Sequence, residues 1–224
     1  LPKGPLGNNL SCDKLVFRNS LSLKNFLPPK TAVCLKKDIY LNLYFMKKLL
    51  LFFGLMSLSL SANAQVTNYN VGDTVDDFTV IDTEGNEHNL YSITASGKYV
   101  FLDFFFVECG PCQTWQATYN EFHDRYGCNE GQVYCLSINN GFDNDQQVIQ
   151  YEETFGGPFN HAPAVSNEGG GEAVDNNFGV NAYPTFCLIS PENTIINLDI
   201  WPLTGVETFE AAFPTGFDPE PMEC

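Results

Sequence analysis

Residues 98–115, "KYVFLDFFFVECGPCQTW", constrain this chain more than any other stretch. From Tyr99 to Phe106 the run is apolar except for Asp103, the pattern of a short central strand buried on both faces. Cys109 and Cys112 follow, two residues apart. Beyond them Trp115, Tyr119, Phe122 and Tyr126 recur at spacings of four, three and four, which places them on one helical face. That leaves Gln116, Asn120, Glu121 and Asp124 for solvent, and Gly127 ends the helix. The stretch therefore predicts a buried strand that delivers a cysteine pair to the start of a helix.

A sulfur in that position meets unpaired amide N–H groups and the positive end of the helix dipole, and both stabilise a thiolate. Cys109 is the expected nucleophile. Cys112, one turn inward, can attack a mixed disulfide held on Cys109, and Gly110 with Pro111 supplies the tight entry into the helix. A tetrathiolate zinc site would need a second close pair. Cys128, Cys135, Cys187 and Cys224 do not form one, and His88, His123 and His161 are scattered, so no metal is expected.

Two further residues stand out. Asp103 must be nearly buried, which disfavours its ion, and it lies six residues before Cys109, where it could exchange a proton with Cys112. The alternative is a plain hydrogen bond to neighbouring backbone or a wet edge. Pro184 directly precedes the apolar run "TFCLIS" and fits at that strand's first residue. A cis bond after Tyr183 would let the backbone of Tyr183 face the dithiol and pair with an incoming peptide.

The rest of the chain alternates strands and helices. "FTVI" and a second strand or loop through Leu90 and Tyr91 suggest a hairpin at the edge of the fold, with the turn "DTEGNEH" between them. "QVYCLSIN" reads as a strand, "DQQVIQYEETFG" as a helix, "TFCLIS" and "ENTIINLDI" as strands and "VETFEAAF" as a closing helix. Residues 156–177 are glycine-rich and polar and read as containing a loop, and the glycines at 169–171 read as a flexible connection, since they lack the strand, spacing and lysine of a phosphate loop. Central strands with helices between them imply an α/β three-layer sandwich with helices on both faces.

Charge is distributed very unevenly in the 224 residues. Residues 1–45 hold seven Lys or Arg against Asp13 and Asp38. From Gln65 onward Lys98 and Arg125 face 25 acidic residues, a net of −23. That excess argues against nucleic acid or an anionic membrane as partner. Between the two regions, "MKKLLLFFGLMSLSLSANA" (46–64) has two lysines, an apolar run of 12 residues and alanines at 62 and 64, the pattern of a signal peptide cleaved after Ala64. The run is shorter than the roughly 20 residues a membrane span needs. Residues 1–45 are expected to be non-native upstream sequence. Residues 65–213 form one domain, and the acidic, proline-punctuated tail 214–224 is expected to be loosely held.

"LDFFFVECGPC", "GVNAYPTF" and the leader "VGDTVDDFTVIDTEGNEHNLYSITASGKYVFLDFF" resemble the thioredoxin superfamily, in its exported TlpA and ResA-like branch. The resemblance spans about Val71 to Phe213 and implies a thioredoxin-like sandwich: a central mixed sheet with an N-terminal hairpin extension. It implies that Cys109 attacks, Cys112 resolves, Asp103 assists proton transfer and Pro184 is cis in the substrate groove, with Tyr183 and Thr185 beside it. Two positions depart from the family. Glu108 stands where tryptophan is usual; pointed at Cys109 it would disfavour the thiolate and make the pair more reducing, and pointed at solvent it would do little. Gln113 replaces the common Lys or Arg, so a strong DsbA-like oxidant is not expected.

The implied activity is thiol-disulfide exchange by a periplasmic or secreted enzyme without a bound cofactor. It would reduce disulfides of exported proteins, apocytochrome c among the candidates, and be re-reduced by a membrane thiol-disulfide donor, because no flavin or nicotinamide fingerprint is present. The alternatives are an oxidase or isomerase using the same pair, a binding module with a fixed disulfide, and a peroxiredoxin-like peroxidase. The last lacks the expected threonine three residues before the cysteine, where Phe106 stands. Cys135 and Cys187 fit strand cores. A Cys128–Cys224 disulfide is compatible with an oxidising compartment and is left open by the sequence. Phe105 and Phe106 could border the dithiol, Trp115 packs near the helix start, and His161 could line the groove.

Overall fold

The computed structural model describes residues 65–198 and 200–224, so the expectations for the 1–45 extension and the 46–64 leader lie outside the described residues. The elements are β1 (Thr79–Ile81), β2 (Glu87–Asn89), α1 (Leu90–Ala95), β3 (Tyr99–Phe105), α2 (Gly110–Arg125), β4 (Val133–Asn139), α3 (Asp145–Phe155), β5 (Ala164–Val165), α4 (Gly171–Phe178), β6 (Thr185–Ile189), β7 (Ile195–Asn197) and α5 (Val206–Glu210). Five strands form one mixed sheet in the order β5-β4-β3-β6-β7, and β1 with β2 forms a separate antiparallel hairpin. β3 runs parallel to β4 and antiparallel to β6, with Asp103 opposite Ser137 on one side and Phe186 on the other.

Alternation along β3 separates two cores. Val100, Leu102 and Phe104 face a cluster with Leu90, Val174 and Phe178. Phe101 faces the other way, into Tyr119, Phe122, Phe186 and Phe209, and Phe105 joins Val148, Tyr151 and both dithiol cysteines. Both faces of the central strand are therefore covered, which explains its continuous apolar sequence and yields the expected three-layer, thioredoxin-like sandwich.

Four local expectations are corrected. Leu90 and Tyr91 start helix α1, because Asn89 Oδ1 accepts the Ser92 N–H at 2.8 Å and caps it. Residues 156–177 contain β5 and the first seven residues of α4. Their glycines serve close approach: a Cβ on Gly169 would lie 1.8 Å from the Ile81 carbonyl oxygen, and one on Gly171 would lie 2.4 Å from that of Asn139. Gln116 and Asn120 are buried rather than facing solvent, because Tyr151 and Glu152 of α3 pack on that face of α2. The tail 214–224 is fastened: Met222 N donates to the Arg125 carbonyl at 3.0 Å, and Cys224 is disulfide-bonded to Cys128.

Candidate active site

Cys109 is the N-cap of α2, in an extended conformation that turns β3 into the helix, and Pro111 occupies the first turn, where a missing N–H costs nothing. Its Sγ accepts the Cys112 N–H at 3.1 Å. The two sulfurs are bonded to each other, with Cα atoms 5.2 Å apart, and both residues are buried. Gly110 is exposed and follows the cap without crowding. Glu108 is exposed.

Tyr183–Pro184 is a cis bond at the start of β6. The Tyr183 hydroxyl donates to Asp175 at 2.9 and 3.0 Å, and its ring meets Phe106 edge-on, 5.4 Å between centroids. Phe106 in turn approaches Phe142, whose side chain is 80% exposed. Phe106 and Tyr183 pack against the cluster that holds both cysteines, and Phe142 extends this apolar rim outward from Phe106. Thr185 is turned inward: its hydroxyl is shared by the Ala182 carbonyl and Gln65 Oε1, so it braces the turn. Burial pushes the Asp175 carboxyl up to about 6, opposed by the Tyr183 hydrogen bond.

Asp103 lies on the β3 face that carries Phe101 and Phe105, toward α2 and α3. It is 2% exposed; Oδ2 accepts from Ser137 Oγ at 3.5 Å, and Oδ1 has no partner. Burial, then the nearby Glu152 carboxylate, hold its carboxyl well above the usual range. Neither basic side chain of the described residues serves the dithiol: Lys98 donates to the Asn129 carbonyl, and Arg125 pairs with Glu121 and Glu210. Stabilisation of a Cys109 thiolate therefore falls to the helix start.

Several supporting residues escaped the sequence reading. Asp143 Oδ2 accepts from Val107 N and from Asn139 Nδ2, both at 2.8 Å, and so ties the cysteine loop to the end of β4. Gln113 Nε2 donates to the Val107 carbonyl at 2.8 Å, a neutral clamp where the family commonly has a cation. Glu152 accepts from Gln116 and Asn120. The available signal was the spacing 112, 116, 120, which puts both amides on the helix face of Cys112. His161 lies beside Glu152, in a cavity in which neither Cys109 nor Cys112 takes part.

Residues 71–197 match the AhpC/TSA family. A thiol-disulfide oxidoreductase ResA from Geobacillus thermodenitrificans is 32% identical over 164 residues, 72% of this chain and 86% of the relative. A second ResA, from Geobacillus kaustophilus, is 31% identical over 140 residues, 62% of this chain and 72% of the relative. The thioredoxin domain of a thiol-disulfide oxidoreductase from Bacteroides vulgatus shares the fold, with a TM-score of 0.51 at 18% identity, over 64% of this chain and 97% of that one. With a cysteine pair at a helix start on a thioredoxin-like sheet, the chain belongs to the AhpC/TSA family and, within the thioredoxin superfamily, to the ResA-like branch of thiol-disulfide oxidoreductases.

Proposed function

We propose that this enzyme is exported and reduces disulfides of exported polypeptides through Cys109 and Cys112. The observation that carries this reading is the cysteine pair at the N-terminus of α2, with Cys109 as the cap. In the reduced enzyme a Cys109 thiolate attacks a substrate disulfide and releases one substrate thiolate, which takes a proton from solvent. Cys112 then loses its proton, with buried Asp103 as its proposed acceptor, and its thiolate displaces the second substrate sulfur. The enzyme ends as the Cys109–Cys112 disulfide, and a membrane dithiol donor would restore it.

The aromatic rim of Phe106, Phe142 and Tyr183 suits the apolar flank of an extended polypeptide. Apocytochrome c is one such substrate. Export to the periplasm or beyond rests on the 46–64 leader; among the described residues no helix is long and apolar enough to cross a membrane. A peroxidase reading is weaker, because Arg125 closes α2 about 24 Å of helix away from Cys109.

Trapping tests the reading. A C112S variant should accumulate mixed disulfides through Cys109 with an oxidised polypeptide, detected by mass spectrometry. Adducts absent from C112S, or undiminished in C109S, would contradict it.

A further inference from the structure

Val107 stands two residues before Cys109, where β3 turns into α2, and its backbone is gripped on both sides. Its N–H donates to Asp143 Oδ2 and its carbonyl accepts from Gln113 Nε2, each at 2.8 Å. The same Asp143 oxygen accepts from Asn139 Nδ2 at 2.8 Å, and Asn139 Oδ1 takes the N–H groups of Gly141 and Asp143 at 3.0 and 3.2 Å. Asn139 is fully buried in the last position of β4, and the Asp143 carbonyl takes the Asn167 N–H at 3.0 Å, just beyond β5. Asp143 is therefore fixed to the ends of two strands, whereas Gln113 is the residue that follows Cys112. One grip ties the approach to Cys109 to the sheet, and the other closes that approach onto the helix turn that carries Cys112.

We propose that Asp143 and Gln113 are positioning residues for the resolving step: by holding the Val107 peptide they keep Cys109 within reach of Cys112 while no bond joins the two sulfurs. This rests on the dithiol reading above. In the closed pair the disulfide fixes the Cα atoms 5.2 Å apart. Once it opens, the position of Cys109 depends on the turn that precedes it. That turn is closed by the Cys109 N–H on the Phe106 carbonyl at 3.1 Å, and Val107 lies inside it. A loose turn spreads Cys109 over many positions, few of which suit attack by Cys112, whereas a turn held from outside has already lost that freedom on folding. Val107 also packs against the cluster that contains both cysteines, so its placement and theirs are linked by direct contact.

The step affected is the displacement that completes substrate reduction. The Cys112 thiolate attacks Cys109 Sγ in the mixed disulfide and the Cys109–Cys112 bond forms. The bond from Cys109 to the substrate sulfur breaks, and that sulfur leaves as a thiolate that takes a proton from solvent. Two electrons have then passed from the dithiol to the substrate disulfide. Restricting Cys109 speeds this displacement and reduces the conformational entropy that disulfide closure removes, so it also makes the pair more reducing. Asp143 contributes an acceptor oxygen, which an asparagine at that position retains and an alanine does not.

The test compares the purified full chain as wild type, D143A, D143N and Q113A in two measurements. The first is the Cys109–Cys112 equilibrium against dithiothreitol, and the second is the lifetime of the mixed disulfide with an oxidised peptide, followed by acid quenching and mass spectrometry. In D143A the equilibrium should move toward the dithiol by about tenfold, or about 30 mV for two electrons, and adducts on Cys109 should persist although Cys112 is present. D143N should match wild type in both, because its amide oxygen accepts the Val107 N–H. Q113A should shift both in the direction of D143A, and this change at a half-buried side chain serves if D143A does not fold. A folded D143A or Q113A that keeps the wild-type equilibrium and adduct lifetime, or a D143N as impaired as D143A, overturns the proposal alone. A wild-type pair that exchanges with nothing overturns the dithiol reading and this inference together.

Discussion

Helix α2 begins at one disulfide and ends beside another. Cys109–Cys112 spans three residues, whereas Cys128–Cys224 joins positions 96 residues apart. At the N-terminus the Cys109 sulfur faces an N–H donor and the positive end of the helix dipole. At the C-terminus the Asp124 carboxylate lies 3.5 Å from the Cys224 sulfur and 3.9 Å from that of Cys128, where the dipole is also unfavourable to an anion. A thiolate is thus supported at one end and opposed at the other. The loop closed at the second end is long enough to constrain the unfolded chain substantially, while the first closes almost nothing. One helix therefore separates a bond suited to exchange from a bond suited to holding the tail.

Breaking each bond should expose that division. The largest effect is expected for C109S, which should bring polypeptide disulfide exchange to the uncatalysed rate while thermal unfolding changes little. The double variant C128S/C224S should lose about 2–4 kcal/mol of stability in denaturant titration. Its exchange rate should stay within about twofold of wild type, since the dithiol lies at the opposite end of the helix. A large loss of exchange in that variant would dissolve the distinction between the two ends.

The buried acids sharpen the comparison through pH. Glu152 keeps its proton up to about pH 7 when folded, yet loses it near 4.5 when unfolded. Between those values the folded state binds more protons, so stability should fall as pH rises, by no more than about 3 kcal/mol. Asp103 extends the trend in the same direction. E152Q should flatten the slope in denaturant titrations over this window; C128S/C224S should lower the whole curve without changing its shape. The smallest effect is expected at the rim. F142S should weaken capture of an oxidised polypeptide by about 1 kcal/mol, roughly fivefold, and leave exchange with a small disulfide unchanged.

The sequence displayed the dithiol end more fully than the stapled end, for physical reasons. A strand buried on both faces, a helix start and a CxxC are all local patterns, so β3, Cys109, Cys112 and the place of Pro184 could be read directly. The Cys128–Cys224 pairing depends on a contact across 96 residues, which local pattern does not encode. Gln116 and Asn120 misled because polar residues on a helix ordinarily face water; here they satisfy a buried carboxylate supplied by a helix that begins at Asp145, 25 residues beyond Asn120. The glycines at 169–171 looked flexible, whereas two of them lie against neighbouring carbonyls that only the fold brings close.

The most direct measurement is the equilibrium reduction potential of the purified protein in a dithiothreitol series, with mass spectrometry identifying which cysteines titrate. Cys109–Cys112 should titrate as one two-electron couple near or below roughly −270 mV, with Cys128–Cys224 still oxidised. A Cys109–Cys112 potential near roughly −120 mV, or a pair that never equilibrates while the other does, would contradict the assignment of the reducing dithiol to the start of α2.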